Sequence, residues 1–181
     1  MKRTQRRELD AYYTPELLAE RLVSVLPIKV YEIAWEPHVG GGAFAQALLR
    51  RTPHVRVTDL DPKAPGLALV ASNAAEVADF LDVEHRVDWI VGNPPFTGFE
   101  NHVTHALECA DNVAFLLRLG ALAAQKRIDL WERWPLRQLW VLAERPSFTG
   151  GSTDNSDYGW FWFQRGWKRA ATIVPGWSWK R

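Results

Sequence analysis

Val30-Tyr31-Glu32-Ile33-Ala34-Trp35-Glu36-Pro37-His38-Val39-Gly40-Gly41-Gly42-Ala43-Phe44-Ala45-Gln46-Ala47-Leu48-Leu49-Arg50 carries the pattern that decides the fold. Residues 30–35 are a short apolar run that predicts a strand. Gly40-Gly41-Gly42 breaks it, and residues 43–50 predict a helix. The alternation continues on both sides. Upstream, Thr14 caps a helix with Pro15 in its first turn, and Leu17, Leu18, Leu22 and Val25 give it an apolar stripe. Downstream, strands are expected at 55–58, 77–81, 87–91 and 113–117, and helices at 66–75, 102–110 and 121–131. Residues 139–143 and 158–163 read as aromatic-rich strands flanking a polar loop, with no helix between them. Strands alternating with helices build a parallel sheet. The expected fold is α/β: a seven-stranded, mostly parallel sheet with an antiparallel hairpin at its edge and helices on both faces. Ligands of such sheets sit beyond the carboxyl ends of the strands, and the informative residues of this chain cluster there.

The chain has 181 residues, which suits one domain, 1–181, with a full core. No apolar run approaches the ~20 residues of a membrane span. The basic start, Met1 to Arg7, has no apolar segment behind it and is not expected to be a secretory signal. A cytoplasmic protein is expected. The lone Cys109 excludes a disulfide framework and a Cys-based zinc site. His38, His54, His85, His102 and His105 show no metal-ligand spacing, so no metal is expected. With a net charge of +1, nucleic-acid binding would need a local patch. The candidates are the Arg-rich start, Arg50-Arg51, and the tail with Arg165, Lys168, Arg169, Lys180 and Arg181. Eight of the ten tryptophans lie from Trp131 onward. Trp140, Trp160 and Trp162 are expected to pack the sheet. Trp177 and Trp179 divide evenly between packing and base stacking.

Four blocks follow strands. Glu36-Pro37 with Gly40-Gly41-Gly42 lets a ligand approach the backbone, and its acid suits a cationic amino group rather than a pyrophosphate. Asp59-Leu60-Asp61-Pro62 offers a carboxylate to ribose hydroxyls, or simply caps a turn. Asp79-Phe80 offers an acceptor to an amino group and a ring to a base, or is a surface Asp beside a core Phe. Asn93-Pro94-Pro95-Phe96 is the strongest signal. Its prolines stiffen the turn and leave carbonyls as acceptors. Asn93 and the Pro94 carbonyl can take both N–H bonds of one amino group, while Phe96 stacks on the ring that bears it.

In this order the blocks resemble the adenine-N6 methyltransferases of the γ arrangement, which have the class I methyltransferase fold. The match runs from about residue 12 to Phe96 and includes Tyr13-Thr14-Pro15 at the front. A looser likeness to the sixth-strand region of small phage-type relatives covers Arg145-Pro146-Ser147-Phe148-Thr149-Gly150. The resemblance implies S-adenosyl-L-methionine as cofactor. Thr14, Glu36, Pro37, Gly40 and Gly42 would hold its methionine part, Asp59 its ribose, and Asp79 and Phe80 its adenine, with Tyr13, Phe44, Leu60 and Asn93 also binding the cofactor. Asn93, Pro94, Pro95 and Phe96 would form the catalytic loop, with Phe96 and Phe148 against the substrate. Residues 150–155 would close over it as a mobile loop. The substrate implied is adenine in nucleic acid, DNA ahead of RNA. Tyr is commoner than Phe at the last motif position of DNA enzymes. Glutamine-amide methylation of a protein and an inactive, cofactor-binding scaffold are the alternatives. With no separate recognition domain in view, a partner protein or homodimer is expected to supply target recognition.

Overall fold

A computed structural model describes residues 13–148 and 155–180; the Arg-rich start, residues 149–154 of the segment expected to close over substrate, and Arg181 lie outside them. Helix α1, Glu16–Ser24, buries Leu18 and Leu22 of its expected stripe together with Ala19 and Val23; Leu17 is exposed, and Pro15 rather than Thr14 stands at the N-cap. Strand β1 is Ala34–Glu36, shorter than its apolar run. Val30 and Tyr31 are exposed because 29–32 form a turn. The Glu32 carboxylate accepts the Lys29 N–H, and Asp88 accepts the Ile33 N–H, both at 2.8 Å. Helix α2, Ala43–Leu49, and strand β2, Val55–Asp59, follow as expected.

No α-helix follows β2. Two 3-10 turns, Pro65–Leu69 and Ser72–Ala74, stand where a helix was expected at 66–75. The Gly66 N–H donates to the Gly40 carbonyl at 2.9 Å, which ties this segment to the glycine-rich loop and prevents a regular helix. Strand β3 is Ala75–Val77 and ends earlier than expected, because Asp79 caps a 3-10 turn at Phe80–Asp82. Then come β4, Val87–Gly92; α3, Phe99–Cys109; β5, Ala110–Arg118; and α4, Ile128–Arg133. The remaining strands are β6, Leu136–Leu142; β7, Tyr158–Gln164; and β8, Thr172–Trp177.

The eight strands form one sheet in the order β3-β2-β1-β4-β5-β7-β6-β8. Only β7 runs against its neighbours. The expected β6–β7 hairpin is present, one strand in from the edge, because β8 pairs in parallel with β6. Strand β8 was not anticipated: Pro175 and Gly176 interrupt its pattern, and such residues are tolerated on an edge strand.

Period-two alternation sends side chains to two cores. Trp89 and Val91 of β4 and Trp160 and Trp162 of β7 face α1 and α2. Ile90, Phe115, Phe161 and Phe163 face α3, with Trp131 of α4 packed against them. Trp140, Trp160 and Trp162 are buried, as is Trp179, whose indole N–H donates to the Glu144 carbonyl. Among the described residues no helix is long and apolar enough to cross a membrane.

Candidate active site

The chain leaves β1 at Glu36 and turns through Pro37 to Gly42 into α2. Two neighbours hold this loop. Asp59, at the end of β2, accepts the Gly40 N–H through Oδ2 at 2.7 Å and the Asp61 N–H through Oδ1 at 2.9 Å. On the other side, Gly42 and Gly66 meet backbone to backbone. Gly42 has φ +87°, and a Cβ on it would stand 3.0 Å from the Gly66 Cα. The Tyr13 ring lies over the loop, 3.1 Å from where a Gly41 Cβ would be. Together these pieces enclose a cleft of about 220 Å³ lined by Tyr13, Thr14, Glu16, Glu36, residues 38–44 and Asn93.

Glu36 is the buried acid of this cleft, 2% exposed, and its Oε2 has no partner among the described residues. Burial pushes its carboxyl well above the usual range; the Ala45 N–H opposes the shift and the Asp59 charge adds to it. A buried carboxyl oxygen without a partner is costly, and a cationic amino group would satisfy it. Asn93 follows β4. Its Nδ2 donates to Thr14 Oγ1 at 3.4 Å, and its buried Oδ1 has no partner among the described residues. One cleft therefore presents two unmet acceptors and a backbone cradle. Glu36 Oε2 and the backbone cradle fit S-adenosylmethionine, whose amino group is cationic.

Beyond Asn93, Pro94 is buried and Pro95 exposed. The half-buried Phe96 ring meets Phe148 at 6.2 Å and Tyr158 at 5.7 Å between centroids, and the Arg118 guanidinium lies 4.4 Å above its centroid. Phe148 is buried and so packs the base of this group.

Several expected residues stand outside the cleft. Pro37 is buried beside it, Asp59 supports the loop from behind, and Leu60 is exposed after β2. Asp79 is exposed and accepts the Leu81 N–H at 3.0 Å. Phe80 is only 2% exposed. Its ring packs edge-on to Trp35, His38 and His105 and parallel to His102, so it belongs to the core and leaves little surface for stacking a base. The face of Phe44 stacks on Trp160 at 5.4 Å.

The structure adds residues that the motifs did not single out: Glu16 and His38 in the cleft wall, His102 bonded to His38, and Arg118 and Tyr158 around Phe96. Their partners lie on other strands and helices, so no local pattern could mark them. Three residues of the expected basic patch are engaged elsewhere. Arg50 pairs with Glu20 at 2.9 Å, Arg51 donates to the Leu26 carbonyl, and Arg165 caps α3 through the Leu107, Glu108 and Ala110 carbonyls. With Lys168 and Arg169 they sit at the amino edge of the parallel strands, opposite the cleft.

The sheet order with its one reversed strand defines the class: this is the Rossmann-like fold of the class I methyltransferases. No family model and no curated protein matches the chain. Solved structures do. The M protein of the type I restriction enzyme EcoKI superposes with a TM-score of 0.73 at 15% identity, covering 88% of this chain and 45% of that one. A type I restriction-modification methyltransferase subunit from Streptococcus thermophilus gives 0.69 at 14% identity, over 91% and 47%. The 23S rRNA methyltransferase ErmE gives 0.63 at 19% identity, over 91% and 72%. The chain thus spans less than half the length of the type I proteins it resembles.

Proposed function

We propose that the chain transfers a methyl group from S-adenosyl-L-methionine to the N6 amino group of adenine in nucleic acid, with DNA favoured. The observation that carries this reading is the buried Oδ1 of Asn93, which has no partner among the described residues and lines the same cleft as Glu36. Tyr13, Thr14, Glu36, Gly40, Gly42 and Asn93 would hold the cofactor, with Asp59 and Asp79 at its nucleoside end. When bound, S-adenosyl-L-methionine supplies a methyl group on a positively charged sulfur.

The residues of the chain hold the acceptor. Asn93 Oδ1 and the Pro94 carbonyl take the two N–H bonds of the amino group and draw its lone pair out of conjugation with the ring. The stiff Pro94-Pro95 turn fixes that direction, and Phe96 stacks on the base. Fixed geometry replaces a random encounter, and the same acceptors stabilise the charge that grows on the nitrogen. No strong base is needed before attack. An adenine in a duplex would first have to leave the stack.

Likeness to a type I restriction M protein and to a 23S rRNA methyltransferase supports a nucleic-acid substrate. RNA is the second reading, favoured by the rRNA enzyme and by Phe96 in place of the Tyr commoner in DNA enzymes. The test is nucleoside mass spectrometry of DNA and RNA from cells expressing the wild type or Asn93→Ala. N6-methyladenine is expected only with the wild type, while the variant still binds cofactor by calorimetry. Equal methylation by the variant, or no methylated adenine in either polymer, overturns the reading.

A further inference from the structure

His38 stands just before two fixed backbone points of the glycine-rich loop. The Val39 N–H donates to the Thr58 carbonyl at 3.0 Å, and the Gly40 N–H donates to Asp59 at 2.7 Å. The His38 ring lines the cleft with Glu36 and Asn93. Phe80 and His102 meet that ring edge-on, with centroids 5.2 and 4.8 Å away. Its Nε2 is bonded to His102 Nδ1 at 3.0 Å. Its Nδ1 is buried and has no partner among the described residues. A half-turn of the ring would exchange Nε2 for a carbon and break the bond to His102, so Nδ1 keeps its direction.

Burial holds both imidazoles neutral, so a single proton lies between them. The atoms in contact decide its side. Donation from His38 Nε2 puts both rings in the Nε2–H form, which a neutral histidine side chain favours in water. The reverse would put both in the less favoured Nδ1–H form. His38 Nδ1 therefore carries a lone pair, and the bond made by the other nitrogen keeps it so. With Glu36 Oε2 and Asn93 Oδ1, it is the third buried side-chain acceptor of this cleft without a partner among the described residues. Burying an acceptor without a donor costs free energy, which a bound donor recovers. We propose that His38 is a further cofactor-binding residue, accepting an N–H or O–H of the cofactor at Nδ1, and that His102 is the positioning residue that holds it as an acceptor. The inference rests on the reading of this cleft as the S-adenosyl-L-methionine site. Donors of that kind are the cofactor's amino group, its ribose hydroxyls and its adenine amino group.

Two substitutions separate ligand contact from structure. His38→Gln brings its amide to the Nε2 position, keeps a bond to His102 and removes the acceptor. His38→Asn brings its carbonyl to the Nδ1 position, keeps the acceptor and loses the bond. Each is read by calorimetry with S-adenosyl-L-homocysteine, the cofactor without its methyl group, and by urea unfolding. His38→Gln is expected to lose roughly tenfold in affinity at near wild-type stability, as loss of one hydrogen bond does. His38→Asn should unfold at lower urea yet bind more tightly than His38→Gln. Affinity that simply follows stability overturns the inference. Nitrogen NMR of the unliganded wild type needs no variant: a lone-pair Nδ1 on His38 is expected, and an Nδ1–H overturns it. The donor is found with three kinds of analogue: methylthioadenosine, which lacks the amino group; S-inosyl-L-homocysteine, which lacks the base amino group; and analogues lacking one ribose hydroxyl. The cost of His38→Gln should vanish for one of them; an equal cost for all overturns the assignment. If the wild type binds S-adenosyl-L-homocysteine and His38→Gln binds it as tightly, this inference alone fails. If the wild type binds neither it nor S-adenosyl-L-methionine, the cofactor reading fails as well.

Discussion

His38 Nε2 and His102 Nδ1 lie 3.0 Å apart, so one hydrogen bond joins the glycine-rich loop after β1 to helix α3, which follows the Asn93–Phe96 loop. Phe80 packs against both rings, with centroids 5.2 and 5.8 Å away. The bond therefore fixes the cofactor side of the candidate site to the substrate side. Burial is the main reason both imidazoles sit below their usual pKa. The neighbouring His102 adds to the effect at His38, while at His102 the Asp79 charge opposes it. Both rings are thus held neutral, and one donates its N–H to the other.

His102→Phe fills the volume and breaks that bond, leaving His38 with a second buried nitrogen unmet. A loss of about 1–3 kcal/mol in urea unfolding is expected. His102→Asn, whose amide reaches the Nδ1 position, should restore most of it. The pH dependence has a definite sign. A histidine with a depressed pKa binds its proton more weakly folded than unfolded, so stability falls as pH drops through about 6.5 and below. His38→Gln combined with His102→Asn should flatten that slope; an unchanged slope would show that the pair is not its source.

Glu36 runs in the opposite direction. Burial first, and Asp59 after it, raise its carboxyl, while the Ala45 N–H works against them. The folded chain therefore binds this proton more tightly than the unfolded chain does. Its contribution to stability declines as pH rises from the ordinary carboxylate value, about 4.3, through the raised one. A cationic ligand reverses the balance by displacing the proton. Cofactor affinity should accordingly increase with pH across the same window and release protons on binding. Glu36→Gln should remove that dependence and weaken binding by roughly tenfold or more, as loss of a charge-assisted bond does. Calorimetry in buffers of different ionisation enthalpy measures both.

Gly66 separates structure from chemistry. A Cβ there would run into Val39 Cγ2 and stand 2.9 Å from the Gly42 backbone, which has no room to retreat. Gly66→Ala is expected to cost about 1–3 kcal/mol by overpacking. Because Gly66 holds the Gly40 carbonyl, it should also weaken cofactor binding. Unchanged melting and unchanged affinity would mean that the two loops are not locked together. Gly98, where a Cβ meets nothing within 4 Å, is the control, although its φ of +73° makes alanine mildly strained.

Much of the fold was legible because period and punctuation are local properties. The apolar run, the glycines and the helix at 30–50, and the halt at Gly92-Asn93-Pro94-Pro95, each express a preference of neighbouring residues. Where the reading departed from the fold, a distant partner was responsible. Gly66 bonds to Gly40 and turns a helix into 3-10 turns. Asp88 holds Ile33 and shortens β1. β8 becomes a strand only because β6 offers it an edge.

The candidate site divides in the same way. The sequence by itself determined the alternating sheet and the order of the blocks from Tyr13 to Phe96, since strand ends and turns fall where glycine, proline and acidic residues put them. Tertiary structure decided what each block faces. It left Asn93 Oδ1 and Glu36 Oε2 buried without partners among the described residues, drew Phe80 into the core, joined His38 to His102, and laid Arg118 over Phe96. The physical reason is that burial and pairing depend on residues far apart in the chain, which only the closed sheet brings within a few ångströms.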